Sequence, residues 1–370
     1  MFQNIFKKNI NQKSTSNALQ TFFMGNLGPQ WTSSSYEQFC MEGYVRNVIA
    51  HRCVAMISRS ASFINFQCGI NNDEGNFVED MQHQVTKLFR RPNPDESFYD
   101  IMDKVYSYKL LWGNVFLYLK QSDDGALESI KCLRPDRVTV ISDDIGDVIG
   151  YRYKYKKIKQ DFPVRGDGSC DIIHIKSFNP LNDFYGLSAM ESAKYAIDQH
   201  NEAAKYAKAL LQNSARPSGA LIVNATEHNN GGRLTDEQFE KLRNQLFSNH
   251  SGTNNSGKPL ILEGGLDWKE MSISPKDMDF IENKHAAARE IALAFGVPPQ
   301  LLGIPGDNTY SNFSEARLFL WEQTIIPLMQ DITKTLERAF GNILQEDDLV
   351  IRFDRSQVAD VSTKEMKSKV

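Results

Sequence analysis

IALAFGVPPQLLGIPGDNTYSN, residues Ile291–Asn312, stops one strong helix and leads into another. An alanine-rich helical pattern ends at Phe295. Gly296 suits the left-handed position just past a helix end, and Pro298 and Pro299 cannot continue the helical ladder. A loop rich in Gly, Pro and Asn follows, and a long helical pattern begins near Phe313. Loops of this length are uncommon inside compact domains and are often functional, so the spacing predicts a loop held out on a rigid support.

Upstream of this break, Met190, Ala193, Ile197, His200, Ala204, Ala207 and Leu211 recur at alternating steps of three and four, which predicts a helix over 187–211 with one narrow stripe. Met278, Ile281, His285, Ala288, Ala292 and Phe295 repeat that spacing in a second helix over 277–295. Much of both stripes is alanine, whose small side chain lets neighbouring helices approach closely. The two helices flank an insert at 215–275. It reads as a small α/β module, with strands over 219–223, 259–262 and 268–273. A helix capped by Thr235 or Asp236 lies ahead of Phe239, Leu242 and Leu246. Downstream, Asn312 and Glu315 have capping-box spacing, and Pro327 predicts a kink in a helix over 313–340.

The first half has a mixed texture. A helical pattern runs from Tyr36 to about Ser60, Arg91-Pro92-Asn93-Pro94 is a break, and Ser97 looks like the cap of a helix from Phe98 to Leu111. Short β-branched or aromatic runs over 114–120, 137–141, 148–156 and 171–176 predict strands. The fold class is therefore α+β. Residues 1–34, rich in Asn, Gln, Ser and Lys, read as a flexible arm.

Composition excludes some classes of function. The 370-residue chain has 41% hydrophobic and 24% charged residues and a net charge of -4, so it is no general polyanion binder. Its length fits one large or two to three smaller domains. The five cysteines (Cys40, Cys53, Cys68, Cys132, Cys170) are scattered and odd in number, and are expected to be reduced and mostly buried. No secretory signal and no run long enough to span a bilayer is visible. Gly252-Thr-Asn-Asn-Ser-Gly257-Lys258-Pro259 has phosphate-loop spacing, but proline stands where the metal-binding Ser or Thr is needed and a strand is predicted to follow. Gly186-Leu-Ser188-Ala-Met190 lacks the final glycine of a nucleophile elbow. The seven histidines form no metal-ligand spacing, so neither a metal nor a cofactor is expected.

Several segments occur in the order of one known family. Leu111-Trp112-Gly113-Asn114-Val115-Phe116, Asp171-Ile172-Ile173-His174-Ile175-Lys176, Tyr185-Gly186-Leu187-Ser188, Arg216-Pro217-Ser218-Gly219-Ala220-Leu221, Ser272-Ile273-Ser274-Pro275-Lys276-Asp277, Phe295-Gly296-Val297-Pro298-Pro299 and Thr309-Tyr310-Ser311-Asn312 follow one another. Over about 36–345 the chain resembles the portal proteins of tailed bacteriophages, in the branch shared by long-tailed phages, prophages and gene transfer agents. The resemblance implies a portal fold. Residues 35–186 would be the wing, 187–214 and 276–296 the two stem helices, and 215–275 the clip. A tunnel loop at 297–312, a long kinked helix at 313–345 and a tail at 346–370 complete the order, with the helical crown minimal or absent.

It also implies a non-enzymatic subunit of a homo-oligomeric ring, twelve-fold by family expectation, at one capsid vertex of the virion. Such a ring assembles in the bacterial host cytoplasm with no membrane partner. Double-stranded DNA would pass through it, and the large terminase subunit, the major capsid protein and a head–tail adaptor would dock on it. Asp307, Asn308, Thr309, Tyr310, Ser311 and Asn312 would face the DNA. Met190, Ile197, Ala204, Leu211, Met278, Ile281, Ala288 and Ala292 would pack stem helices or subunits. Lys258, Lys269, Lys276, Lys284 and Arg289 are further candidates for charge in the channel. The rival reading is a nucleotide-dependent packaging motor or nuclease, which the defective phosphate loop disfavours.

Overall fold

The computed structural model describes residues 35–212, 220–223, 235, 237, 240–241, 244, 266–269, 280–305 and 310–354. Helix α1 spans Val48–Ser62, strand β1 Phe66–Asn71, β2 Phe77–Glu79, α2 Gln84–Arg90 and α3 Phe98–Trp112. Strands β3 (Asn114–Gln121), β4 (Leu127–Leu133), β5 (Val138–Ser142), β6 (Val148–Tyr155), β7 (Ile158–Pro163) and β8 (Ile172–Lys176) follow. Then come α4 (Ala189–Gln212), β9 (Ala220–Val223), β10 (Leu266–Lys269), α5 (Phe280–Ala294), α6 (Tyr310–Leu320), α7 (Ile326–Leu344) and β11 (Leu349–Phe353).

The helical pattern at Tyr36 is not one helix. A turn of α-helix at Tyr36–Gln38 widens into a π-helix at Phe39–Val45, and the chain breaks at Asn47. Asn47 is extended, and its Oδ1 accepts from the N–H groups of Ile49 and Ala50, so a polar cap restarts the chain as α1. Ser97 caps α3 as the spacing predicts. Its Oγ accepts from Asp100 N at 3.3 Å, and Asp100 Oδ2 accepts from Ser97 N at 2.9 Å, a reciprocal capping box.

Among the described residues all strand pairs are antiparallel. β3 lies between β4 and β8, β6 between β5 and β7, and β1 between β11 and β2, while β9 pairs with β10. Strand β3 separates two cores by its period of two. Val115, Leu117 and Leu119 join the large core of α1, α3 and the later helices, whereas Phe116 enters a smaller core with Val138, Tyr151, Phe162 and Ile172. The segment after 345, expected as a tail, instead returns β11 to the wing, with Ile351 opposite Cys68.

The predicted long helix is present from Tyr310 to Leu344, and Pro327 acts in it as expected but through a wider turn. Trp321–Ile325 is π-helical, and Ile326 N–H donates five residues back to Trp321 O. Proline lacks the donor that would close an ordinary turn and its ring crowds the carbonyl four residues earlier, so the extra residue is accommodated just ahead of it. Asn312 lies inside α6 rather than at its cap, which corrects the capping-box reading. Lys109, buried in α3, reaches Asp331 of α7 at 2.8 Å and fastens the long helix to the wing. Burial pulls the Lys109 ammonium below its usual range, against the upward effect of Asp331.

Where α3 ends, three chain segments cross at close range. Gly113 has φ +72 and ends α3; an added Cβ there would lie 2.6 Å from Leu187 C. At Gly186 an added Cβ would lie 2.2 Å from Gly113 O. Ser177 N donates to Gly113 O at 2.8 Å. Asn114, 1% exposed, joins the crossing: Oδ1 accepts from Gly186 N at 2.7 Å, and Nδ2 donates to Trp112 O at 2.9 Å and Gly186 O at 3.1 Å. His174 Nε2 lies 3.1 Å from the same Oδ1, and the ring stacks on Phe116 with centroids 4.3 Å apart.

Asn114→Ala removes the partner of three part-buried backbone groups, Gly186 N, Gly186 O and Trp112 O, and is expected to cost about 1–3 kcal/mol in urea denaturation. Burial, and then the charges of Lys176 and Lys109, lower the His174 pKa from 6.5 to about 3. The fold therefore disfavours the charged ring. The contribution of neutral His174 is complete above about pH 6.5 and is lost at up to ~1.4 kcal/mol per pH unit as pH falls toward about 3. Denaturation midpoints of wild type and His174→Phe across that range should converge at acid pH, because the variant lacks this slope.

Candidate channel and subunit-contact surface

Helices α4 and α5 leave and rejoin the wing side by side. Met190 and Ile197 at the start of α4 and Ile291 and Phe295 at the end of α5 enter one core, so the pair is antiparallel and rooted at the same place. Ser188 Oγ accepts from Glu191 N at 3.0 Å and caps α4. Tight packing holds Met190, since a Cβ added at Gly43 would come within 2.5 Å of its sulfur. On α5, Ala287, Ala288 and Ala292 are buried, as their size allows. Ala204, farther along α4, is exposed in the single chain. The Leu211 and Ile281 side chains and all of Met278 lie outside the described residues.

A polar bracket fixes α4 to the segment before α1. Asn47 Nδ2 lies 3.3 Å from His200 Nδ1 and donates to Asn201 Oδ1 at 3.0 Å, while Asn201 Nδ2 donates to Glu42 O at 3.0 Å. Burial, and then the charge of Lys284 on α5, depress the His200 pKa. The neutral ring serves as an acceptor between the helices.

At the other root the predicted helix stop is present. Gly296 has φ +67, Val297 N donates back to Ala292 O, and Pro298–Pro299 open a short 3-10 turn, Pro299–Leu302. Thr324, in the π-turn of the long helix, donates its hydroxyl to Gly296 O at 2.7 Å. A Cβ at Gly296 would stand 2.7 Å from Thr324 Oγ1, so the left-handed backbone and the crossing helix both select glycine. Arg289, considered above for channel charge, instead points its guanidinium at the Pro305 carbonyl and braces the loop. Asp307, Asn308 and Thr309 lie outside the described residues. Tyr310 and Ser311 are described as backbone in α6, and Asn312 is half-buried in its first turn. Of the other lysines considered, Lys284 is exposed on α5, Lys269 is described as backbone in β10, and Lys258 and Lys276 lie outside the described residues, as does the phosphate-loop-like segment.

One constellation went unread in the sequence. Cys68 Sγ is 3.3 Å from His83 Nδ1, and His83 Nε2 is 2.8 Å from Glu346 Oε2. Cysteine, histidine and carboxylate in this order suggest a nucleophile, but Cys68 is fully buried and burial pushes its thiol up to about 12. His83 Nδ1 also accepts from Val85 N at 3.2 Å and so caps α2. The three side chains join β1, α2 and the end of α7 as a strut. Among the described residues no group of three or more His, Cys, Asp or Glu side chains could hold a metal ion. No described helix is long and apolar enough to cross a membrane.

Paired helices rooted in an α+β wing, a glycine stop and a kinked crossing helix repeat the family order read from the sequence. The family model for phage portal protein matches residues 49–369. The chain belongs to the phage portal protein family. An uncharacterized protein of Rickettsia felis is 43% identical over 325 residues, covering 88% of this chain and 82% of that protein. A chain in a structure described as the neck of an empty GTA particle computed with C6 symmetry is 36% identical. It superposes with a TM-score of 0.69 over 96% of this chain and 93% of its own length. A chain in the neck of a native GTA particle computed with C12 symmetry is 36% identical, with a TM-score of 0.68 over 94% and 92%.

For this portal-family chain, Thr324→Val should cost about 1 kcal/mol by loss of one hydrogen bond. Gly296→Ala should cost about 1–2 kcal/mol from its backbone alone. In the Thr324→Ala background Gly296→Ala should cost less than in wild type, because the colliding hydroxyl is gone; a double-mutant cycle in urea measures the difference.

Proposed function

We propose that the chain is one wedge of a closed ring, twelve-fold as the family resemblance implies, set at a capsid vertex. Double-stranded DNA passes through its hole during packaging and ejection. The wing is residues 35–186, the stem 187–214 and 276–296, the clip 215–275, and the tunnel loop 297–312. The large terminase subunit and a head–tail adaptor dock on the ring, the major capsid protein surrounds it, and it resides in the virion after assembly in the host cytoplasm.

The observation that carries this reading is the near full-length superposition on a chain from the neck of a GTA particle computed with C12 symmetry. The rooted stem supports it physically. A single chain encloses no hole, but head-to-tail copies whose rotation closes on itself do. The work is geometric and requires no catalytic group. Asp307, Asn308, Thr309, Tyr310, Ser311 and Asn312 meet the phosphate backbone with mostly uncharged polar groups. Dense basic contacts would bind DNA tightly and salt-dependently, which is the wrong behaviour for a conduit.

Negative-stain images of the purified full-length protein should show rings with a central hole, and a uniform population of single copies would overturn the reading. Replacing Asp307, Asn308 and Thr309, which precede α6, by a Gly-Ser segment of equal length should leave rings intact while reducing DNA retained in assembled particles. Wild-type DNA content in that variant would remove the loop from its assigned role.

A further inference from the structure

Helix α6 presents two exposed faces of opposite character. Phe313 and Arg317 lie one turn apart on one face, while Glu315 and Phe319 lie one turn apart on the other, with Glu322 a further turn along. Two residues on a helix are separated by about 200°, so the faces point in nearly opposite directions.

On the first face, α6 and α1 border an open recess of about 600 Å³. Its lining includes Arg52, Met56, Arg59, Phe63, Phe313 and Arg317 and no carboxylate. The exposed stripe of α1 extends it: Val48 is 68% and Phe63 70% exposed in the single chain. On the second face a groove of about 460 Å³ runs between the helix stop and α6 and holds Glu315 but no basic side chain. Leu293 and Phe319 flank it, 79% and 55% exposed. Glu290, three residues before Leu293, is exposed nearby, and the guanidinium of its neighbour Arg289 is engaged at Pro305. Among the described residues Glu290, Glu315 and Glu322 have no ion-pair partner.

Contiguous apolar surface of this kind marks an interaction site. A closed ring requires two unlike, mutually complementary surfaces on each copy, and charge of opposite sign on them fixes register and rejects wrong pairings. Here an acidic apolar face and a basic apolar recess occupy opposite sides of one rigid helix. We propose that the Leu293–Glu315–Phe319 face of one copy seats in the Arg52–Arg59–Phe63 recess of the next copy. Helix α6 is thereby buried from both sides around the ring. The inference rests on the ring reading and names the surfaces that close it.

The test uses full-length protein and four forms: wild type, R52E/R59E, E315R/E322R and the combined quadruple variant. Mass photometry and negative stain score ring assembly, and thermal melts by circular dichroism score folding. Each double variant should lower the ring fraction about tenfold, and the quadruple variant should recover it to within about threefold. Because all four positions are exposed, melting temperatures should stay together, and recovery in the quadruple variant separates a surface effect from misfolding. A second arm introduces M56C with F319C under mild oxidation. Cross-linked ladders are expected only when both changes are present. Double variants that assemble like wild type, failure of the charge swap to rescue, or an absent ladder would overturn the proposal. So would R52E/R59E rings that form normally but lose DNA, since the recess would then face nucleic acid. Absence of rings in wild type itself would bring down the ring reading rather than the pairing alone.

Discussion

The departure of the first stem helix from the wing depends on the crossing at Asn114. One buried amide satisfies the end of α3, the start of β3 and the approach to α4, and it also receives the His174 ring. Gly113 and Gly186 allow the backbones to pass at a distance that any side chain would prevent. Such a network is stiff because the Asn114 amide at its centre is buried, so displacing it leaves polar groups unpaired away from water. The consequence is angular. The first stem helix leaves the wing in a direction set by hydrogen bonds within a few residues of its root. Small angular errors accumulate when identical copies are repeated around an axis. A rigid root is therefore what a ring-forming wedge needs more than a strong one.

The second root is arranged differently. Gly296 ends α5 in a left-handed turn, and Thr324 pins that turn to the long helix where the helix is widened into a π-turn by the approach of Pro327. The widening and the pin are linked by geometry. The π-turn adds a residue ahead of Pro327 and shifts the phase of the residues before it, and Thr324 lies within it. On the near side of the following segment, Arg289 of α5 braces the chain at the Pro305 carbonyl.

The parts legible in the sequence were those with a local cause. The helix stop at Gly296-Val297-Pro298-Pro299, the Ser97 cap, the kink at Pro327 and the buried stripes where α4 and α5 meet the wing each follow from residues within a turn or two of one another. The parts not legible depended on distant partners. Strand β11 pairs with β1 across most of the chain, and its short apolar run looks like a tail until β1 is placed beside it. The β6–β7 hairpin turns at Lys156, whose φ is +54, with no glycine or asparagine to announce it. Asn114 reads as an ordinary first residue of a strand, since its partners Gly186 and His174 are fixed only by the fold. The Asn47 break in the first helical pattern was marked by a good cap residue, but the apolar spacing on either side hid it. Glycines were the available signal for the crossing: Gly113 and Gly186 stood in two quoted motifs, and two glycines at unrelated junctions can indicate one close approach.

The charge distribution follows the same logic as the packing. The net charge of -4 does not suit tight polyanion binding, and basic and acidic side chains line the recesses on the two sides of α6. Exposed ion pairs contribute little in a single chain, because water and salt screen them. At an apolar contact that excludes water, the same charges become selective, since an unpaired one there is costly and a matched one is tolerated. A protein that encloses a polyanion without gripping it gains from this placement. On the proposed pairing, Arg52 and Arg59 would face the neighbouring copy rather than the channel. The hole can then be closed firmly by contacts that do not themselves compete for the DNA.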